Sequence, residues 1–158
     1  MAKIGEFDNC KISKLLEWYI GNLAMTFHNR DQSPLGETEH PGGPCLPGIQ
    51  RLFVDVNGQL YPCEKVNEES ELMNIGTLDK GFFLDKSLNI LNIGKLTKEE
   101  CKSCWAFRFC KICAVAADDT TELSRKKKLE HCERIKVDIY NMMRNYTMLK
   151  ELGYNFDD

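Results

Sequence analysis

Eight cysteines in 158 residues dominate the chemistry this chain can do. Four are packed into the stretch CKSCWAFRFCKIC, where Cys101 and Cys104 form one Cys-x₂-Cys pair and Cys110 and Cys113 a second. Cys45 and Cys63 lie upstream, and Cys132 lies downstream. Thiols this dense form disulfides or bind a soft metal as thiolates, and the redox compartment decides between the two. The N-terminus, MAKIGEFDNC, has no apolar segment of the secretory kind, and no apolar run approaches the ~20 residues that cross a bilayer. The chain therefore reads as cytoplasmic and without a membrane partner, where thiols stay reduced and metal is favoured.

Structural zinc takes four ligands in a tetrahedron. The two Cys-x₂-Cys pairs are enough for one zinc, but such a site leaves Cys45, Cys63 and Cys132 idle. Iron–sulfur cubanes are also held by thiolates and spread their ligands more widely. Seven framed cysteines suit two cubanes, one fully ligated and one short of a ligand. Spacing thus ranks iron–sulfur first, zinc second and purely structural thiols third. A thioredoxin-like pair needs a βαβ context that is not visible. A cysteine nucleophile needs a histidine base, and of the three histidines His131 adjoins a cysteine already assigned while His40 reads as a solvated loop residue. The net charge of −3 gives no basic surface for nucleic acid, and the run Arg125–Lys128 reads as a solvated helix face.

The elements that must position these thiols follow from periodicity. Residues 8–30 predict a helix capped by Asp8 or Asn9, with Ile12, Leu15, Leu16, Tyr19, Ile20, Leu23 and Phe27 as its packing face. Cys10, at its start, reads as a small buried hydrophobe. The Pro- and Gly-rich residues 31–48 form a loop carrying Cys45. Gln50–Val56 and Gln59–Lys65 predict a hairpin across Asn57-Gly58, a type I′ turn signal. That register pairs Val54 with Tyr61 and Leu52 with Cys63, and sets Pro62 opposite Phe53. Ile75–Leu78 and Leu91–Leu96 read as short strands or turns, with a short helix near Phe82–Leu88. Thr97 and Glu100 form a capping box for a helical turn into Cys101. Trp105, Phe107 and Phe109 read as core. Residues 119–153 predict one long helix, started by Asp119 and Glu122 and stopped by Gly153. Its buried stripe is Cys132, Ile135, Ile139, Met142, Tyr146 and Leu149. The expected class is α+β: a small β-hairpin, then cysteine-rich cluster-binding loops and a long C-terminal helix, preceded by an N-terminal amphipathic helix.

The order Cys45, Gly58, Cys63, Cys101-x₂-Cys104-x₅-Cys110, Cys113 and Cys132 resembles the seven-cysteine SPASM pattern. The hairpin sequence from Leu52 to Cys63 and the segment Ile75-Gly-Thr-Leu78 add to the likeness. SPASM domains form the C-terminal part of radical S-adenosylmethionine enzymes that modify peptides, and the chain looks most like the maturases of Cys-rich ribosomal peptides. The resemblance covers roughly residues 40–135. It implies two auxiliary [4Fe-4S] clusters, the first on Cys45, Cys63 and Cys113 and the second on Cys101, Cys104, Cys110 and Cys132. Cys101–Cys113 is then the seam between two clusters.

The chain departs from the family in two places: Cys110 and Cys113 are one residue closer than usual, and no extra cysteine follows Cys45 before Cys63. The second departure implies an open iron for a substrate thiolate, water or Glu64. The Cys-x₃-Cys-x₂-Cys motif of the catalytic cluster is absent, as is the length of a barrel. S-adenosylmethionine would then act only through a separate barrel domain, in cis or in trans. Residues 1–39 read as the junction to that barrel and residues 40–158 as the cluster domain, with a peptide as substrate.

Overall fold

The computed structural model describes residues 13–30, 32–36, 38–43 and 45–157. Cys10, Ile12 and the expected caps Asp8 and Asn9 lie outside them. The chain divides into two compact units, Met1–Ser33 with Arg134–Asp158, and Pro34–Glu133. The class is α+β, with a four-stranded antiparallel sheet and a long C-terminal helix. Among the described residues no helix is long and apolar enough to cross a membrane.

In the first unit, helix α1 (Lys14–Leu23) starts at Ser13, which is extended and accepts a hydrogen bond from the Leu16 amide at 3.2 Å. A serine oxygen here satisfies one of the amides that a helix start leaves without a carbonyl. A π-helical turn, Ala24–His28, continues it. Ile20, Leu23 and Phe27 are buried as the periodicity predicts, but Leu15 and Leu16 are exposed, together with Trp18 and Met25. The packing face is therefore shorter than the stripe. Within the unit, Phe27 stacks on Tyr146 at 5.6 Å, Tyr19 accepts from Asn145 at 2.7 Å, and His28 contacts the Tyr146 hydroxyl at 3.0 Å.

The C-terminal segment is two helices, α4 (Arg125–Glu130) and α5 (Cys132–Glu151), not one from residue 119. Ser124 starts α4 by accepting from the Lys127 amide, while Asp119 and Glu122 close a tight turn instead. Gly153 ends α5 as expected. With φ at +86°, it lets its own amide reach the Lys150 carbonyl and the Tyr154 amide reach that of Leu149. Every position of the stripe from Cys132 to Leu149 is at least half-buried.

The second unit is built on a meander of β1 (Phe53–Val54), β2 (Gln59–Tyr61), β3 (Gly76–Thr77) and β4 (Gly81–Phe82). The hairpin exists but its register differs from expectation by one residue: Phe53 opposes Tyr61 and Val54 opposes Leu60. Asp55 is the reason. Its carboxylate accepts from the amides of Asn57 at 2.9 Å and Gln59 at 2.7 Å, and its carbonyl accepts from Gly58 at 3.1 Å. Only Gly58 of the turn takes a positive φ, +74°, so the loop has three residues with a glycine bulge rather than a type I′ pair. Hydrogen bonds to a charged group are worth about 1.5–3 kcal/mol each, enough to override the Asn-Gly preference. Leu52 and Val54 consequently face solvent, Phe53 packs on Tyr61, and Cys63 lies beyond the end of β2 with Pro62.

Helix α2 (Leu84–Leu91) forms where a short helix was expected near Phe82–Leu88, and a 3₁₀ turn, Ile93–Thr97, stands where a short strand or turn was expected over Leu91–Leu96. Their inner residues Ile90 and Ile93 close the core with Met73, Ile75 and Ala117. A fully buried side chain of the larger kind contributes about 1.5–3 kcal/mol relative to exposure. Gly94 admits the 34–40 loop: a Cβ there would sit 2.5 Å from the Thr38 carbonyl oxygen. Short helix α3 (Lys98–Lys102) then leads into the cysteine stretch.

Candidate metal centre

All seven described cysteines are free thiols, and each is brought to its place by a turn or a helix end. Cys45 follows a turn closed by the Gly43 amide on the His40 carbonyl at 3.0 Å. Cys63 leaves β2, and Cys113 starts the 3₁₀ turn Ala114–Ala117. Cys101 lies in α3, and the Cys104 amide donates to its carbonyl at 3.1 Å. Cys110 ends the 3₁₀ turn Phe107–Phe109, and Cys132 opens α5.

The thiols act on one another in two sets. Burial pushes the Cys45 thiol up first, and the neighbouring charges of Cys63 and Cys113 push it further. Burial likewise raises Cys110, a hydrogen bond with the Ile112 backbone opposes this, and Cys101, Cys132 and Cys104 add to it. The reach is electrostatic. Among the described residues, no three His, Cys, Asp or Glu side chains converge closely enough to hold one metal ion. An all-thiol donor set suits iron–sulfur clusters and structural zinc, and a cubane needs its sulfurs farther apart than one ion does. The residues fit a cluster in donor chemistry, and all but the exposed Cys113 are half-buried.

Several side chains near the thiols depart from the sequence expectations. Trp105 is exposed rather than core, Phe107 is buried and Phe109 half-buried. The Thr97–Glu100 capping box does not form: Glu100 pairs with Arg125, and the buried Thr97 hydroxyl lies 3.2 Å from Cys101 Sγ. Glu64 is engaged by Arg51 at 2.5 Å.

Lys128 overturns the reading of its basic run as a solvated face. It is only 1 % exposed and donates from Nζ to Thr97 Oγ1 at 2.9 Å, with the Ile93 carbonyl at 3.5 Å. Burial lowers its pKa, while Cys101, Cys110 and Cys132 raise it. The sequence held one signal for this: Lys128 stands one helical turn before Cys132. A run of four basic residues conceals which of them turns inward.

His40 is not solvated either; it is 8 % exposed. Its Nδ1 lies 3.1 Å from the Gly43 carbonyl, so that nitrogen carries the proton, and its buried Nε2 has no hydrogen-bond partner. Burial first, and then Lys128, bring its pKa down to about 4. The imidazole is thus neutral at pH 7, with an uncommitted lone pair.

No protein-family model and no curated protein matches the sequence. One solved structure, native anSMEcpe with bound AdoMet and Cp18Cys peptide, is similar over 84 % of this chain at 17 % identity, with a TM-score of 0.47. The chain spans 36 % of the length of that structure.

Proposed function

We propose that this chain is the auxiliary iron–sulfur part of a radical S-adenosylmethionine enzyme that modifies a Cys-rich ribosomal peptide. Cys45, Cys63 and Cys113 hold a first [4Fe-4S] cluster, and Cys101, Cys104, Cys110 and Cys132 hold a second. What carries this reading is the seven-cysteine spacing, and the neighbourhoods of Cys45 with Cys63 and Cys113 and of Cys110 with Cys101, Cys104 and Cys132 support it. Bound clusters would supply one-electron transfer and an iron able to take a substrate sulfur. The protein's part is to keep the thiols together, limit water and admit the peptide. Cys113, the exposed member of the first set, supports access from solvent. The Arg51–Glu64 pair favours a substrate thiolate or water over Glu64 at the open iron.

The catalytic barrel that binds S-adenosylmethionine acts in cis or in trans, in the reducing cytoplasm. Residues 1–39 join it, and Leu15 and Trp18 on the exposed side of α1, with Met25 in the π-helical turn after it, offer an apolar contact.

Anaerobic reconstitution tests the reading. The protein should turn brown and hold about eight irons and eight sulfides per chain. Cys63→Ser should remove one cluster signal and Cys104→Ser the other, each leaving about half the iron. A colourless protein with one or two zincs and no acid-labile sulfide would establish a zinc-stabilised peptide-binding module instead.

A further inference from the structure

Lys128 is a buried cation, and a buried ammonium costs several kcal/mol unless an anion compensates it. Against burial, the anionic forms of Cys101, Cys110 and Cys132 are what keep its proton. Its hydrogen bonds lead to the same place. An ammonium can only donate, so Thr97 Oγ1 accepts from Nζ at 2.9 Å. The threonine's own hydrogen is then free to point at Cys101 Sγ, 3.2 Å away. Thr97 is wholly buried, so this chain runs without water.

We infer that Lys128 is the counter-ion of the Cys101, Cys104, Cys110 and Cys132 group, its charge delivered to Cys101 Sγ through the Thr97 hydroxyl. The inference rests on the second-cluster reading above. Four thiolates carry more negative charge than a cationic cluster core offsets, and one added electron makes the excess greater. A fixed ammonium and a hydrogen bond to sulfur both favour the reduced form, so they raise the group's potential. In the metal-free protein the Lys128–Thr97–Cys101 contacts are already in place, so the reactivity of Cys101 reads them. Lys128 and Thr97 are positioning residues: neither needs to touch substrate or metal.

The test compares the full chain with Lys128→Met, Lys128→Arg and Thr97→Val. In an EPR-monitored redox titration of the loaded protein, Lys128→Met should favour oxidation of one cluster about tenfold, a fall of about 59 mV for one electron. The other cluster, on Cys45, Cys63 and Cys113, is the internal control and should not move. Thr97→Val should shift the same cluster in the same direction by less, and Lys128→Arg should keep the wild-type value. Equal potentials in wild type, Lys128→Met and Thr97→Val, with iron content intact, would overturn the inference. If wild type takes up no iron, the cluster reading fails separately. The inference is then read on the reduced metal-free protein, where Lys128→Met should slow iodoacetamide alkylation of Cys101 severalfold and leave that of Cys45 unchanged. Thr97→Val gives the same readouts if Lys128→Met does not fold, and unchanged alkylation of Cys101 in the folded variant overturns the inference.

Discussion

His40 is a base that refuses its proton while folded. Its pKa, near 4, lies below the ordinary value of 6.5 because burial and then the Lys128 charge disfavour the imidazolium; the Gly43 and Pro41 backbone only partly offset them. The unfolded chain takes up a proton at this residue as pH drops through 6.5, and the native chain does not. Its contribution to stability is therefore present above pH 6.5 and lost progressively down to about pH 4, reaching about 3 kcal/mol. Urea midpoints at pH 7.5 and pH 5 should diverge in wild type and converge in His40→Gln. At this scale the sequence displayed the thiols and concealed their surroundings. Cysteines announce themselves by spacing, whereas nothing in HPGGPC or RKKK tells that His40 and Lys128 turn inward. Their burial depends on contacts from residues far away in the chain, such as Thr97 for Lys128.

Among the elements, the hairpin shows how one side chain sets a register. Asp55→Ala removes two carboxylate–amide hydrogen bonds and should cost about 1–3 kcal/mol, seen as a lower thermal midpoint; Asp55→Asn should recover part of it. Gly94→Ala places a Cβ against the Thr38 carbonyl and should cost about 1–3 kcal/mol by overpacking. It should also speed hydrogen exchange at the Gly43 amide, which closes the turn behind His40. The existence of the hairpin and the inward stripe of α5 were readable, because alternation and three-four spacing are local patterns. The register was not: Asn-Gly competes with an aspartate two residues earlier, and alternation alone does not decide between two- and three-residue loops. The break between α4 and α5 escaped for a similar reason. The apolar stripe begins only at Cys132, where α5 starts, and so does not register the break, while Ser124, not Asp119, takes the cap.

Across the whole molecule, the thiols among the described residues all belong to the Pro34–Glu133 unit. Anything they bind in the native state stabilises that unit by mass action. Loading at a thousandfold excess over Kd should raise its melting temperature by about 20 °C. Chelation should increase hydrogen exchange over residues 45–132 and leave residues 14–28 unchanged, which mass spectrometry of the peptides would check. The α+β class was legible from the order of periodic segments, while β4 was not, since strands of two residues carry no pattern. The Thr97–Lys128 chain also has a genealogical side. Each member stands four residues before a cysteine, Thr97 before Cys101 and Lys128 before Cys132. If the two evolved as one device, descendants of a common ancestor should keep or lose Thr-x₃-Cys and Lys-x₃-Cys together. A lineage that exchanged the lysine for an apolar residue should have released the threonine as well.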